Sequence, residues 1–126
     1  MLFRSTFDCV ILTQVLVLIR DFESALRTVS RILKPHGVAL ITIPGITQIS
    51  ADTAESAAWS WSFYPETFRS FVSRYFDRQN LIVQSYGNVK TTIAFLAGLA
   101  RDDLAPDDFE HNDRRYPLIV GARAIK

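Results

Sequence analysis

Phe7–Gly45 reads FDCVILTQVLVLIRDFESALRTVSRILKPHGVALITIPG, and its pattern decides the fold. FDCVILT, residues 7–13, is a short and nearly continuous apolar run, as a strand buried on both faces requires. Asp21 is placed to cap a helix running to about Leu33. Phe22, Leu26, Val29 and Leu33 recur at helical spacing, with Glu23, Arg27 and Arg31 on the other side. Pro35 and Gly37 end that helix, and VALITI, residues 38–43, forms a second buried strand closed by Pro44-Gly45.

Downstream the alternation continues. Residues 46–60 are polar and rich in small residues with no clear period, and read as a loop or a short helix. Pro65 suits a first helical position. Phe68, Phe71, Val72, Tyr75 and Phe76 then form an aromatic stripe, whose plain reading is core packing. Leu81–Tyr86 is a third strand and Gly87-Asn88 a turn. A helix from about Val89 to Ala100 carries Val89, Ile93, Leu96 and Leu99 on one face. Residues 101–113 read as a solvated acidic connection, and Tyr116–Ile125 as the last strand. Strand–helix alternation with buried strands predicts an α/β architecture with a largely parallel sheet.

Composition excludes several classes. The chain has 126 residues, 48% apolar and 21% charged, with a net charge of +1, so a packed core is expected rather than disorder. Lys and Arg are dispersed, which gives no argument for nucleic acid. Val10–Ile19, the most apolar stretch, is far short of the roughly 20 residues of a membrane helix. The single Cys9 cannot form an internal disulfide; it fits a reducing cytoplasm and reads as a small buried hydrophobe. Two His and one Cys lie far apart, without metal-ligand spacing. Leu2-Phe3-Arg4-Ser5 matches what the end of a common sequencing adapter would encode in frame, so residues 1–5 are read as an assembly edge and left out of the fold.

Residues 7–45 resemble the second half of class I S-adenosylmethionine-dependent methyltransferases. The specific part is Arg31-Ile32-Leu33-Lys34-Pro35-His36-Gly37 before an apolar strand, similar to the LKPGG turn that feeds the family's fifth strand. His36 replaces the first glycine, which bears on turn geometry alone. WSFYPETFRSFV, SYGNV and YPLIVGARAIK resemble a subgroup found with sugar-polymer biosynthesis. The resemblance covers nearly all of residues 6–126. It implies a partial Rossmann-like, doubly wound sheet of about four strands, mostly parallel with an antiparallel last strand, and the Asp21–Leu33 and Pro65–Phe76 helices on one face. Residues 1–126 are then the C-terminal portion of a single domain.

The family's Gly-rich turn and ribose-binding acid belong to an earlier part of the domain. No G-x-G occurs here, the five glycines being scattered at 37, 45, 87, 98 and 121. Three of the usual seven strands, with the main cofactor grip, are expected upstream of Met1. The resemblance places the remaining contacts to S-adenosylmethionine at Thr13, Gln14, Val15 and Leu16, beyond the first strand. For Gln14, an amide bonded to cofactor or substrate and a polar group facing water are both open readings. Trp59, Trp61 and Tyr64 stand where the subgroup places an active-site flap, or else simply cover the aromatic helix. His36 and His111 are candidate bases by residue type only; His111, beside Asp113, is also a candidate for substrate contact. The expected function is methyl transfer to a small-molecule or glycan-related acceptor by a cytoplasmic enzyme of which this chain is an inactive part. A non-catalytic half-domain that binds a partner through its open sheet edge, and a different doubly wound enzyme such as a dehydrogenase, are the alternatives.

Overall fold

The computed structural model describes residues 4–49 and 59–126. Its elements in chain order are β1 (Phe7–Thr13), α1 (Phe22–Ile32), β2 (Leu33–Pro44), α2 (Pro65–Val72), β3 (Leu81–Tyr86), α3 (Val89–Leu96) and β4 (Ile119–Ile125), with short 3₁₀ turns between. The four strands form one sheet in the order β1-β2-β4-β3. β1 and β2 are parallel, while β4 runs antiparallel to both β2 and β3. The last strand therefore slots between the second and the third.

Register explains the core. Val10, Ala39, Ala124 and Leu81 line up across the sheet, as do Leu12, Ile41, Ala122 and Val83. These rows face one side, where α1 contributes Phe22, Leu26 and Val29 and α2 contributes Phe68 and Val72. Both helices thus cover the same face, as right-handed crossovers demand. The aromatic stripe is core, with Phe68, Val72 and Phe76 buried. Asp21 caps α1 by accepting from the Ser24 amide at 3.1 Å. Ser30 Oγ donates to the Tyr75 carbonyl at 3.1 Å and Arg74 Nη1 to Glu23 Oε1 at 2.6 Å, tying α2's C-terminal turn to α1.

The alternate rows are open. Ile11, Leu40, Arg123 and Ile82 line up on the opposite face, and Pro44, Ile119 and Tyr86 form another row of it. Ile11 is 67% exposed, and Leu40, Ile82, Tyr86 and Ile119 are exposed as well. Cys9 lies in register with Val38 on this side and is exposed, not a buried hydrophobe.

Four further expectations need correction. β2 begins at Leu33, not Val38, because Leu33 already pairs with Phe7 across a register irregularity. The His36 amide donates to the Lys126 carbonyl at 2.9 Å and the Lys126 amide to the Gly37 carbonyl at 3.0 Å, so the turn is held against the end of β4. α3 stops at Leu96, ahead of Gly98 at φ +75°. Its apolar residues Val89, Ile93 and Leu96 face outward, and Thr91, Thr92 and Ala94 are buried instead. The 101–113 segment is more than a solvated link. Asn88 Nδ2 donates to the carbonyls of Asp108 and His111, both at 2.8 Å, and Asn112 Oδ1 accepts from the Gly87 amide at 3.0 Å. β4 runs from Ile119, not Tyr116, although the Leu118 and Pro117 carbonyls still accept from the Gly45 and Ile46 amides just beyond β2, at 3.0 and 2.8 Å.

Candidate functional site

β1 ends where its parallel partner β2 still runs, and this edge holds the expected site. Ligands of open α/β sheets bind outside the carboxyl ends of the strands. Thr13 pairs with Thr42, and Gln14 then turns into the left-handed region at φ +58°. A non-glycine residue there is under strain, which persists only when its surroundings hold it. Two bonds do so: the Gln14 amide donates to the Thr42 carbonyl at 2.9 Å, and Gln14 Nε2 donates to Thr42 Oγ1 at 3.3 Å. The chain is thereby turned off the sheet into a 3₁₀ turn, Leu16–Leu18.

That turn separates the four candidate residues. Leu16 and Val17 drop fully into the core and anchor the connection. Thr13 and Val15 stay exposed on either side of Gln14. The side chains available to a ligand are thus a hydroxyl, an amide and one apolar surface, whereas that of Leu16 is spent on packing. Gln14 is half-buried and bonded to Thr42, a third state between the two open readings.

The flap aromatics divide as well. Trp61 Nε1 donates to the carbonyls of Ile19 at 3.0 Å and Arg20 at 3.1 Å. The amides of Ser60 and Trp61 both reach the Val17 carbonyl, at 2.8 and 3.3 Å. The Trp61 ring meets Phe22 edge to face at 5.0 Å and lies near-parallel to Phe63 at 5.9 Å, within an aromatic cluster completed by Phe68 and Phe71. Trp59 is partly buried against the same core. Tyr64 is 65% exposed at the cap of α2. Residues 50–58, in the loop expected over 46–60, lie outside the described residues.

His111 is not brought to this edge. It follows β3, three strand spacings from β1 across the sheet, or roughly 14 Å. There it lines a surface cavity of about 270 Å³ with Asn88, Lys90, Asp107, Asp108 and Asp113. Hydrogen bonds from the Arg115 side chain and backbone, aided by the charges of Arg115 and His111, hold the Asp113 carboxyl at about 2. Lys90 bonds Asp108 at 2.8 Å and lowers its pKa in the same way. His36 sits at the opposite, amino-terminal end of β2. Among the described residues no group of His, Cys, Asp or Glu is placed to hold a metal ion, and no helix is long and apolar enough to cross a membrane.

Sequence reasoning missed Thr42, the residue that fixes Gln14. Its signal was a lone hydroxyl in the apolar run VALITI, ahead of the Pro44-Gly45 stop.

Comparison with known proteins adds the family. A profile described as "Methyltransferase domain" matches residues 3–83. No curated protein sequence matches. Among solved structures, phosphoethanolamine N-methyltransferase 2 of Haemonchus contortus, bound to phosphomonomethylethanolamine and S-adenosylhomocysteine, is 17% identical with a TM-score of 0.61; the match covers 98% of this chain and 34% of that one. A SAM-dependent methyltransferase of Archaeoglobus fulgidus is 11% identical with a TM-score of 0.60, covering 98% and 61%. An S-adenosylmethionine-dependent methyltransferase of Mesorhizobium loti is 15% identical with a TM-score of 0.61, covering 98% and 64%. The chain therefore spans between about a third and two thirds of the length of these structures. Its strands and helices follow their Rossmann-like fold, and by the profile match over most of its length the chain belongs to the methyltransferase-domain family.

Proposed function

We propose that the chain is the second half of an S-adenosylmethionine-dependent methyltransferase domain acting on a small-molecule or glycan-related acceptor. The observation that carries this reading is the strained Gln14, locked to Thr42 at the carboxyl end of a parallel strand pair. An exposed hydroxyl on Thr13, the Gln14 amide oxygen and the apolar Val15 fit a ligand with ribose hydroxyls and an aromatic base. They fit part of it only, since the sequence carries no G-x-G turn. When bound, S-adenosylmethionine supplies an electrophilic methyl on its sulfonium. The work of the protein is to align an acceptor with that methyl and exclude water, so few side chains need take part in bond making. Of the flap aromatics, Tyr64, exposed at the start of α2, is the one open to an acceptor, whereas Trp59 is partly packed against the core. His111 follows β3, at the other edge of the sheet from β1, and no role as a base is assigned to it at that crevice. The acceptor class rests on the resemblance of residues 61–72, 85–89 and 116–126 to a subgroup found with sugar-polymer biosynthesis.

Calorimetric titration with S-adenosylmethionine tests the proposal. The whole protein should bind stoichiometrically, and the isolated chain should show no micromolar binding. Micromolar binding by the isolated chain would mean that this half suffices, and failure of the whole protein to bind would overturn the reading. One observation favours the rival partner-binding module: β1 is an edge strand with Phe7 and Ile11 exposed. A whole protein that binds no cofactor but captures another chain through β1 would establish that rival.

A further inference from the structure

The β1–α1 connection is fastened at both ends, and the second fastening is Trp61. At the near end Gln14 is held to Thr42 through its backbone and its side chain. At the far end the Trp61 indole bridges two successive carbonyls, Ile19 and Arg20, while its own amide and that of Ser60 converge on Val17. Between the fastenings the turn exposes Val15 and Leu18 and buries Leu16 and Val17. The indole cannot swing out as a flap without breaking these bonds and its edge-to-face contact with Phe22, the first residue of α1.

We infer that Trp61 is a positioning residue for the cofactor side of the site, holding the Gln14–Arg20 connection in its binding shape, and is not a residue that touches the acceptor. This rests on the methyltransferase reading above. A binding loop that is already ordered loses less conformational freedom when its ligand arrives, so releasing the clasp weakens binding without removing any ligand contact. Ring and N–H make separable contributions. The ring packs in the aromatic cluster and supports stability. The N–H holds the loop.

The test uses the whole protein with S-adenosylhomocysteine as probe and two variants. Trp61→Phe keeps an aromatic ring and deletes the donor; it should weaken S-adenosylhomocysteine by about tenfold, the scale of one well-placed hydrogen bond. Hydrogen exchange at the Leu18 and Ile19 amides, which close the 3₁₀ turn onto Val15 and Leu16, should quicken, while β2 and β4 amides stay protected. Trp61→Ala should weaken binding further and also lower Tm. If Trp61→Phe binds S-adenosylhomocysteine as the wild type does, the inference is overturned. It is equally overturned if affinity and Tm fall together with exchange quickened throughout the sheet, because that is the mark of general destabilisation. A wild-type protein that fails to bind the probe defeats the methyltransferase reading and this inference with it.

Discussion

His36 shows how much a single dihedral angle can matter. Its φ of +64° lies in the left-handed region, at the place where the resembling family has glycine. An L residue there costs roughly 1–2 kcal/mol, against about 0.5–1 kcal/mol of extra unfolded-chain freedom that glycine brings. His36→Gly should therefore stabilise the chain by about 0.5–1 kcal/mol, seen as a higher urea midpoint at unchanged slope. A lower midpoint would show that the imidazole makes a contact of its own. Gly45 presents the reverse case. A Cβ there would fall onto the Pro117 carbonyl, and that backbone cannot retreat without breaking its bond to the Ile46 amide. Gly45→Ala should cost about 1–3 kcal/mol, as overpacking does, measured by thermal unfolding. Asp113 gives a pH signature. Its carboxyl is depressed to about 2 by Arg115, so its contribution to stability is complete above pH 4 and lost as pH falls toward 2. The Asp113→Asn variant should lack that part of the acid dependence in Tm measured against pH.

At the scale of elements, α3 has its amphipathy inside out. Exposed Val89, Ile93 and Leu96 leave it attached mainly through its cap. Asn88 accepts from the Thr91 amide, Thr91 Oγ1 accepts from the Asn88 amide, and Asn88 Nδ2 holds the Asp108 and His111 carbonyls. Asn88→Ala removes all of these except the Thr91 bond to the backbone, and should destabilise by about 2–3 kcal/mol. Hydrogen exchange should show α3 and the 101–113 segment opening together, ahead of the sheet. The sequence reading has Gly87-Asn88 as a turn, and neither the Asn88 cap nor the direction of the helix was read from it. Periodicity reports that apolar residues share a face, and says nothing of whether a neighbour exists to cover it. α1, β3 and the first turn of α2 were legible because an apolar run, an Asp cap and a helical Pro act locally, whereas β1, read as buried on both faces, is a strand with one face open. The strand character of residues 33–37 was hidden, since it depends on Phe7 and Lys126, both distant in sequence. Of the proposed site, the placement at Thr13–Leu16 rests on family resemblance. The Thr42 anchor and the Trp61 clasp are long-range hydrogen bonds, and no local pattern encodes them.

For the molecule as a whole, one sheet face is packed and the other open. Ile11, Leu40, Ile82, Tyr86 and Ile119 form apolar rows on the open side, and β1 offers a parallel edge beside them. Patches and edges of this kind promote association. Sedimentation velocity of the isolated chain should show self-association, relieved by Ile11→Lys on the edge strand; a monomer at all concentrations would contradict that expectation. The place of β4 has one more consequence, for the order in which the chain can be built. Among the described residues β3 pairs with β4 alone, and β4 comes after it in the chain. While those residues are still inside the ribosome, β1 and β2 are the described strands able to pair, and Leu81 and Val83 lack their β4 neighbour. The nascent chain must carry α2 and β3 as an unpaired hydrophobic appendage until Ile119–Ile125 emerges, which makes that interval the natural window for a chaperone.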